Sequence, residues 1–409
     1  MHAVRIRNEN GFVLITAMIF LMIIGLIGST AVMVTTTDIK IGANFKDSRQ
    51  AFYDAEAGVQ YALGRVETDL KAGSIGLPAN VGDSIPLDSY SAAGFSFTFT
   101  DLAKSASNRY TFISSATGPR NSRASIEAVL ARDPAINFAA FGDVITSFHN
   151  SSNVYSYDSG TTPDPDSDDS TGEGDLGSNN EVETKSGVFI DGDGMLGEDE
   201  SGEDATLDNG GTFTGTTGEQ IGRVDPDPLG VVGGEYADKF TAYSTGNDNS
   251  LALPSIISGE ITLGNSEVIV LNGKSGGANY YLSSINIGNS AQIRVDTSAG
   301  PVNIYLTGGL ETGNDSEITV INNGKPTDFS IFSNSTAAIN IRNSGDFVGM
   351  IYAPYADIEF KNSTTIYGAV WGKEVHFKAT ATLYYDTALK DKYQSNDLSL
   401  VSWKDARSG

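Results

Sequence analysis

The chain has 409 residues, a formal net charge of −25 at pH 7 and no cysteine. Disulfides, thiolate metal sites and thiol catalysis are therefore excluded, and so acidic a chain lacks the basic patches that a nucleic-acid surface needs. Gly is abundant at 46 residues, and few helical patterns remain after residue 73. This predicts mainly β structure with many turns, in a chain long enough for two or more domains.

Residues 1–11 form a short leader with Arg5, Arg7 and Glu9, ending in Asn10-Gly11. No charged residue follows until Asp38. At about 1.5 Å per residue, a helix over residues 12–34 spans roughly 35 Å, enough to cross a bilayer, and the arginines keep the leader cytoplasmic. Beyond it Phe45, Phe52, Ala55, Val59, Ala62, Leu63, Val66 and Leu70 recur mostly at three- and four-residue steps, with no Pro between Ile15 and Lys71. One helix over residues 12–71 is predicted, apolar through the membrane part and one-sided later. A secretory signal cut near Ser29-Thr30-Ala31, or a plain signal anchor, accounts for the apolar stretch but not for its continuation.

Two segments carry a family resemblance. One is the junction Asn10-Gly11-Phe12-Val13-Leu14-Ile15. The other is Asn44-Phe45-Lys46-Asp47-Ser48-Arg49-Gln50-Ala51-Phe52-Tyr53-Asp54-Ala55-Glu56-Ala57-Gly58. Together they resemble the N-terminus of type IV pilins, and more closely the PilX-type minor pilin family. The resemblance implies that a prepilin peptidase cuts after Gly11 and that the new amine on Phe12 is methylated. The helix would then leave the inner membrane and pack among other pilin subunits. Thr16 takes the fifth mature position, where major pilins carry Glu. A carboxylate in an apolar bundle needs a partner, which in pilins is a neighbour's terminal amine. A subunit without it can start a filament, and minor pilins at filament tips share the lack. Thr16 is thus either a mark of a tip position or a tolerated helix residue.

Residues 72–134 read as a linker followed by a small antiparallel sheet. Phe95, Phe97 and Phe99 share one face, Arg109 to Ser115 follows a polar turn, and Ala124 to Leu130 is a third run. Helix and sheet together make a pilin-like α+β module. Residues 135–253 begin a second domain at Phe138-Ala139-Ala140-Phe141 and continue into an acidic stretch, residues 158–228, expected as a long loop. Its carboxylates, Asp164, Asp166 and Asp168, then Asp191, Asp193, Glu198 and Asp199, are candidate calcium ligands, hard oxygen donors among flexible glycines. The run from Asp191 fails the EF-hand template, with Met195 at a ligand position and Leu196 at the glycine position. A solvated acidic loop is the other reading.

From residue 254 a repeat emerges. Asn265, Asn289 and Asn314 each follow Gly and precede an alternating run, at intervals of 24 and 25 residues. Looser copies surround Asn334, Asn343 and Asn362. A turn and a β run at this period predict a parallel β-helix over residues 254–390, with Asn and Gly at left-handed corners. A β-sandwich is the alternative. Residues 391–409 read as a C-terminal tail. Segments 347–354 and 366–372 resemble domains attached to PilX-type N-termini in other envelope proteins.

No catalytic constellation stands out. Asp357 and Glu359 alternate on one strand face, as any solvated pair would, and His376 sits in a strand-like run. The expected protein is not an enzyme but a minor pilin or pseudopilin at or near a filament tip. It would prime assembly and adhere to a surface ligand or dock a tip adhesin, passing from the inner membrane to the pilus at the cell surface. The competing expectation is a membrane-anchored surface β-helix protein, an adhesin or a carbohydrate-active enzyme, outside any filament.

Overall fold

The computed structural model describes residues 10–71, 74–78, 80–87, 90, 92, 96–106, 109–149, 151–163, 165–342 and 346–406. Leader residues 1–9, Phe95, Asp164, Asn343 and Ser344 lie outside the described residues. The architecture is a long apolar N-terminal helix, a small antiparallel sheet and a large parallel β assembly, in two compact units.

In the first unit, helix α1 (Asn10–Lys71) is unbroken over 62 residues. Its buried stripe is Ala51, Ala55, Val59, Ala62 and Val66, the three- and four-residue spacing of one helix face. Small residues let the sheet come close. A Cβ on Gly58 would meet Ser114 Oγ at 2.3 Å and Phe97 Cγ at 3.2 Å. The sheet answers with Tyr110, Phe112, Ser114 and Ala116 from strand Arg109–Thr117, and Ile126, Ala128 and Leu130 from Arg123–Pro134, alternate residues of antiparallel partners. Asp47, inside the family-like segment, is buried and accepts from Arg120 Nε at 2.6 Å, tying the helix to the turn Pro119–Asn121. Residues 394–405 are not a tail. Strand Gln394–Asp405 lies beside Arg123–Pro134, and Trp403 packs on Phe52 at 5.7 Å.

In the second unit, strands stack in parallel along three faces. The first face contains Ala278–Leu282, Val302–Leu306 and Phe329–Ser333; the second Glu260–Leu263, Ser284–Ile287 and Leu310–Thr312; the third Val268–Asn272, Gln292–Asp296 and Glu317–Ile321. Inward residues alternate along each strand, and on the second face Phe148, Phe377 and Phe360 stack at 4.1 and 4.8 Å inside the coil. The first face is largely buried on both sides, with Asn279, Asn303 and Ser330 standing among its apolar and aromatic residues. Its outer side is covered by helix α2 (Glu235–Tyr243), whose Phe240 and Tyr243 pack on Tyr305 and whose Tyr236 packs on Phe332.

Three features differ from the sequence reading. First, the coil is not confined to 254–390. Strand Ala140–Phe148 pairs in parallel with Thr364–Phe377 on one side and with Leu176–Ser178 and Glu181–Thr184 on the other. The chain thus enters mid-stack, builds to one end near Thr217–Gln220, crosses back past α2, and winds from Glu260 to close on its own first coil. Second, much of the acidic stretch is coil rather than loop. Leu176, Val182, Ile190 and Leu196 point inward from strands of two to four residues, too short to show an alternating pattern. Third, the left-handed corners are Ser266, Ser290 and Asp315, one residue after each Asn. The Asn side chains instead stitch coils together: Asn265 Oδ1 accepts from the Asn289 amide and Asn289 Oδ1 from the Asn314 amide, both at 2.9 Å. The preceding glycines are needed because a Cβ on Gly288 or Gly313 would sit 2.6–2.7 Å from the neighbouring corner.

Candidate functional site

The N-terminal half of α1 is one candidate site. It is the one described helix long and apolar enough to cross a membrane. Phe12, Leu14, Ile15, Met18 and Phe20 are all exposed, as are the apolar residues through Val34. In lipid every polar group must be satisfied within the segment. The hydroxyls comply: Thr16 donates to Phe12 O at 2.9 Å, Thr30 to Leu26 O, Thr35 to Ala31 O, Thr36 to Val32 O and Thr37 to Met33 O. Gly11 and Phe12 lie in the first turn of α1. The Thr16 hydroxyl is therefore satisfied within its own helix.

The acidic residues are scattered and already engaged. Asp191 Oδ1 accepts from Thr214 Oγ1 at 2.6 Å and Asp193 Oδ1 from the Thr216 amide at 2.5 Å, each bridging to the next coil. Asp199 Oδ1 accepts from the Ser201 and Glu203 amides, and the Ser201 hydroxyl holds its carboxyl below the usual range. Asp166 accepts from the Asp168 amide and caps the short turn Ser167–Asp169. Glu198 pairs with Asp204 through the backbone alone, as an isolated antiparallel β-bridge. Among the described residues no three Asp, Glu or His side chains converge as a metal site, so the expected calcium cluster does not assemble there. Short strands and turns engage the Asp166, Asp191, Asp193 and Asp199 carboxylates as acceptors of local amides and hydroxyls.

The outer side of the second face is a charge ladder. Glu359 pairs with Lys361 at 2.7 Å and with Lys378; Lys373 lies 3.7 Å from Asp357. Glu183 takes Lys185 and, at 3.1 Å, His149 Nε2, and the Lys185 hydrogen bond holds its carboxyl low. Ser147, His376 and Glu374 also meet, with Ser147 Oγ 2.7 Å from Nδ1 and Glu374 Oε2 3.2 Å from Nε2. Sequence spacing gave no sign of this trio because Ser147 lies 229 residues from His376. Ser147 is only 1% exposed, so its hydroxyl is not presented to a substrate. Cross-strand pairing of this kind stabilises a sheet face.

The third face carries an aromatic ladder. Tyr367 and Tyr384 stack at 5.2 Å and 9°, and Tyr384 and Tyr155 at 5.4 Å and 26°, in register on adjacent strands. On the first face Asp227 fastens the strap that crosses it. Its carboxylate accepts from the Val231 and Val232 amides and from the Tyr352 and Tyr355 hydroxyls, at 2.8–3.1 Å. Burial pushes this carboxyl up, and its four donors oppose that shift.

The first unit is thus a bilayer-length apolar helix that runs on to pack against a small antiparallel sheet. Residues 10–60 match the family described as PilX N-terminal, so the chain carries a segment similar to the N-terminal domain of that family. Residues 256–392 match a family described as Domain of unknown function (DUF7305). No curated protein matches the sequence. Among solved structures, the chain is similar to the competence-associated pilin ComZ from Thermus thermophilus. That match has 12% identity and a TM-score of 0.33, covering 88% of this chain and 97% of that one. It is also similar to an ice-binding protein from the Antarctic ascomycete Antarctomyces psychrotrophicus. There the identity is 17% and the TM-score 0.30, covering 62% and 93%. At these TM-scores neither likeness bears on what the chain does.

Proposed function

We propose that this chain is a type IV minor pilin, incorporated at or near the tip of a type IV pilus-like filament, where it primes assembly and presents its β coil to a surface ligand or a tip partner. The observation that supports this most is Thr16, whose hydroxyl is satisfied by Phe12 O at 2.9 Å. A subunit with no carboxylate there has no unmet charge to pair with an earlier subunit, so it loses nothing by coming first. The coil adds to this. Its second and third faces are clothed in ladders of side chains, and a body of that size on every helix would crowd a shaft. Processing after Gly11 by a prepilin peptidase and methylation of Phe12 belong to the same reading. So does a binding rather than a catalytic role, since the carboxylates of the charge ladder are committed to lysines and histidines.

Gold-labelled antibody against the coil, applied to sheared filaments, tests the placement. Label at filament ends is expected. Even label along shafts, or protein confined to the membrane fraction, overturns it.

A further inference from the structure

A hollow of about 400 Å³ opens in the β coil where four segments distant in sequence converge. Tyr157 ends strand Asn153–Tyr157 and Ser159 follows it, Asn323 and Lys325 follow Glu317–Ile321, Asp346 precedes Phe347–Phe360, and Tyr367 comes from Thr364–Phe377. We propose that this hollow binds a neutral sugar, a mono- or disaccharide unit of a surface glycan; this rests on the adhesive part of the function proposed above.

The chemistry of the walls narrows the ligand. The Tyr157 and Tyr367 rings meet at 85° with centroids 6.4 Å apart, and the Pro326 ring adds a further apolar surface. Such flat apolar walls suit the C–H face of a pyranose, and the volume lies in the range of small-molecule sites. The polar groups supply both donors and acceptors: the Asn323 amide gives both, Lys325 donates and Asp346 accepts. Sugar hydroxyls need that mixture, since each donates and accepts. One cation and one carboxylate cancel, and a chain of net charge −25 repels an anionic polymer. No metal-type cluster of carboxylates forms among the described residues, which speaks against a cation.

Behind the wall Asp386 holds Ser159, its Oδ1 accepting from the Ser159 amide at 3.0 Å and its carboxyl meeting the Ser159 hydroxyl, so the polar lining left to a ligand is that of Asn323, Lys325 and Asp346.

Asn323 offers a clean test, because its φ of 54° suits glycine and Asn323→Gly removes the amide without backbone strain. The full chain would be held in a detergent without a sugar head group. It would be titrated with glucose, galactose, mannose, maltose, cellobiose and glucuronate by saturation-transfer NMR. At least one neutral sugar is expected to bind with a millimolar Kd, weakened tenfold or more by Asn323→Gly. Arg294→Ala, on the third face outside the hollow, leaves binding unchanged. The proposal is overturned if no neutral sugar binds, if Asn323→Gly binds as the parent does, or if glucuronate binds more tightly than glucose.

The filament reading is scored separately on sheared filaments. Sugar binding by a protein that never enters filaments sinks that reading and keeps the site. Normal filament entry without sugar binding does the reverse.

Discussion

Gly58 and Gly64 lie on the same helix, and the same substitution should have opposite effects at the two. An interior helical Gly→Ala gains about 0.8–1.0 kcal/mol of propensity. A Cβ on Gly64 meets nothing within 4 Å, so Gly64→Ala should keep most of that gain. A Cβ on Gly58 would lie 2.3 Å from Ser114 Oγ and 3.2 Å from Phe97 Cγ, and Ser114 is fully buried. Overpacking of this kind costs about 1–3 kcal/mol, which cancels or exceeds the propensity gain. Gly58→Ala is therefore expected to be neutral or to destabilise by up to about 2 kcal/mol. The difference between the variants removes the propensity term and should fall near 1–3 kcal/mol. Urea unfolding followed by Trp403 fluorescence, with Trp371→Phe as a common background, reads this unit, since Trp403 packs on Phe52. If Gly58→Ala stabilises as much as Gly64→Ala does, the close packing of helix on sheet is wrong.

Three further outcomes follow from the β coil. Gly368, at φ 139°, would place a Cβ 1.8 Å from Gly349 O on the adjacent strand, so Gly368→Ala should cost about 3 kcal/mol or more by urea unfolding; a loss under 1 kcal/mol would refute that contact. Burial raises the Asp386 carboxyl above its ordinary 3.8, opposed by the amide and hydroxyl of Ser159. The folded state then holds that proton more tightly than the unfolded chain, and stability falls as pH rises through 3.8 towards the folded value. Asp386→Asn should accordingly gain on the parent between pH 4 and pH 8, and parallel pH profiles would contradict the burial. Because the acidic residues serve as turn acceptors, EDTA should leave the thermal melt unchanged, and a fall of several degrees would restore calcium to the coil.

The long helix was legible because its two signals, a charge-free run and a later stripe, are local in sequence. The coil was legible from Asn265 onward, where strands of four or five residues alternate cleanly and corners repeat. It was not legible between 176 and 220. There the strands are two to four residues long, each offers about one inward apolar side chain, and the acidic residues between them look solvated until the next coil supplies their donors. The re-entry of the chain could not be read either. Ala140–Phe148 and Thr364–Phe377 are partners across more than two hundred residues, with no repeat to link them. The same distance hid Ser147 from His376 and strand Gln394–Asp405 from its sheet. Placing Asn at the left-handed corner was reasonable chemistry but the wrong residue: Asn was selected by the acceptor it offers the adjacent coil, and Ser or Asp tolerates the turn.

The central claim, that this chain is processed and assembled as a pilin, is met most directly at its N-terminus. Protein recovered from cells should yield, by mass spectrometry, an N-terminal peptide that begins at methylated Phe12. A chain starting at Met1, or cut beyond Thr30, would contradict it.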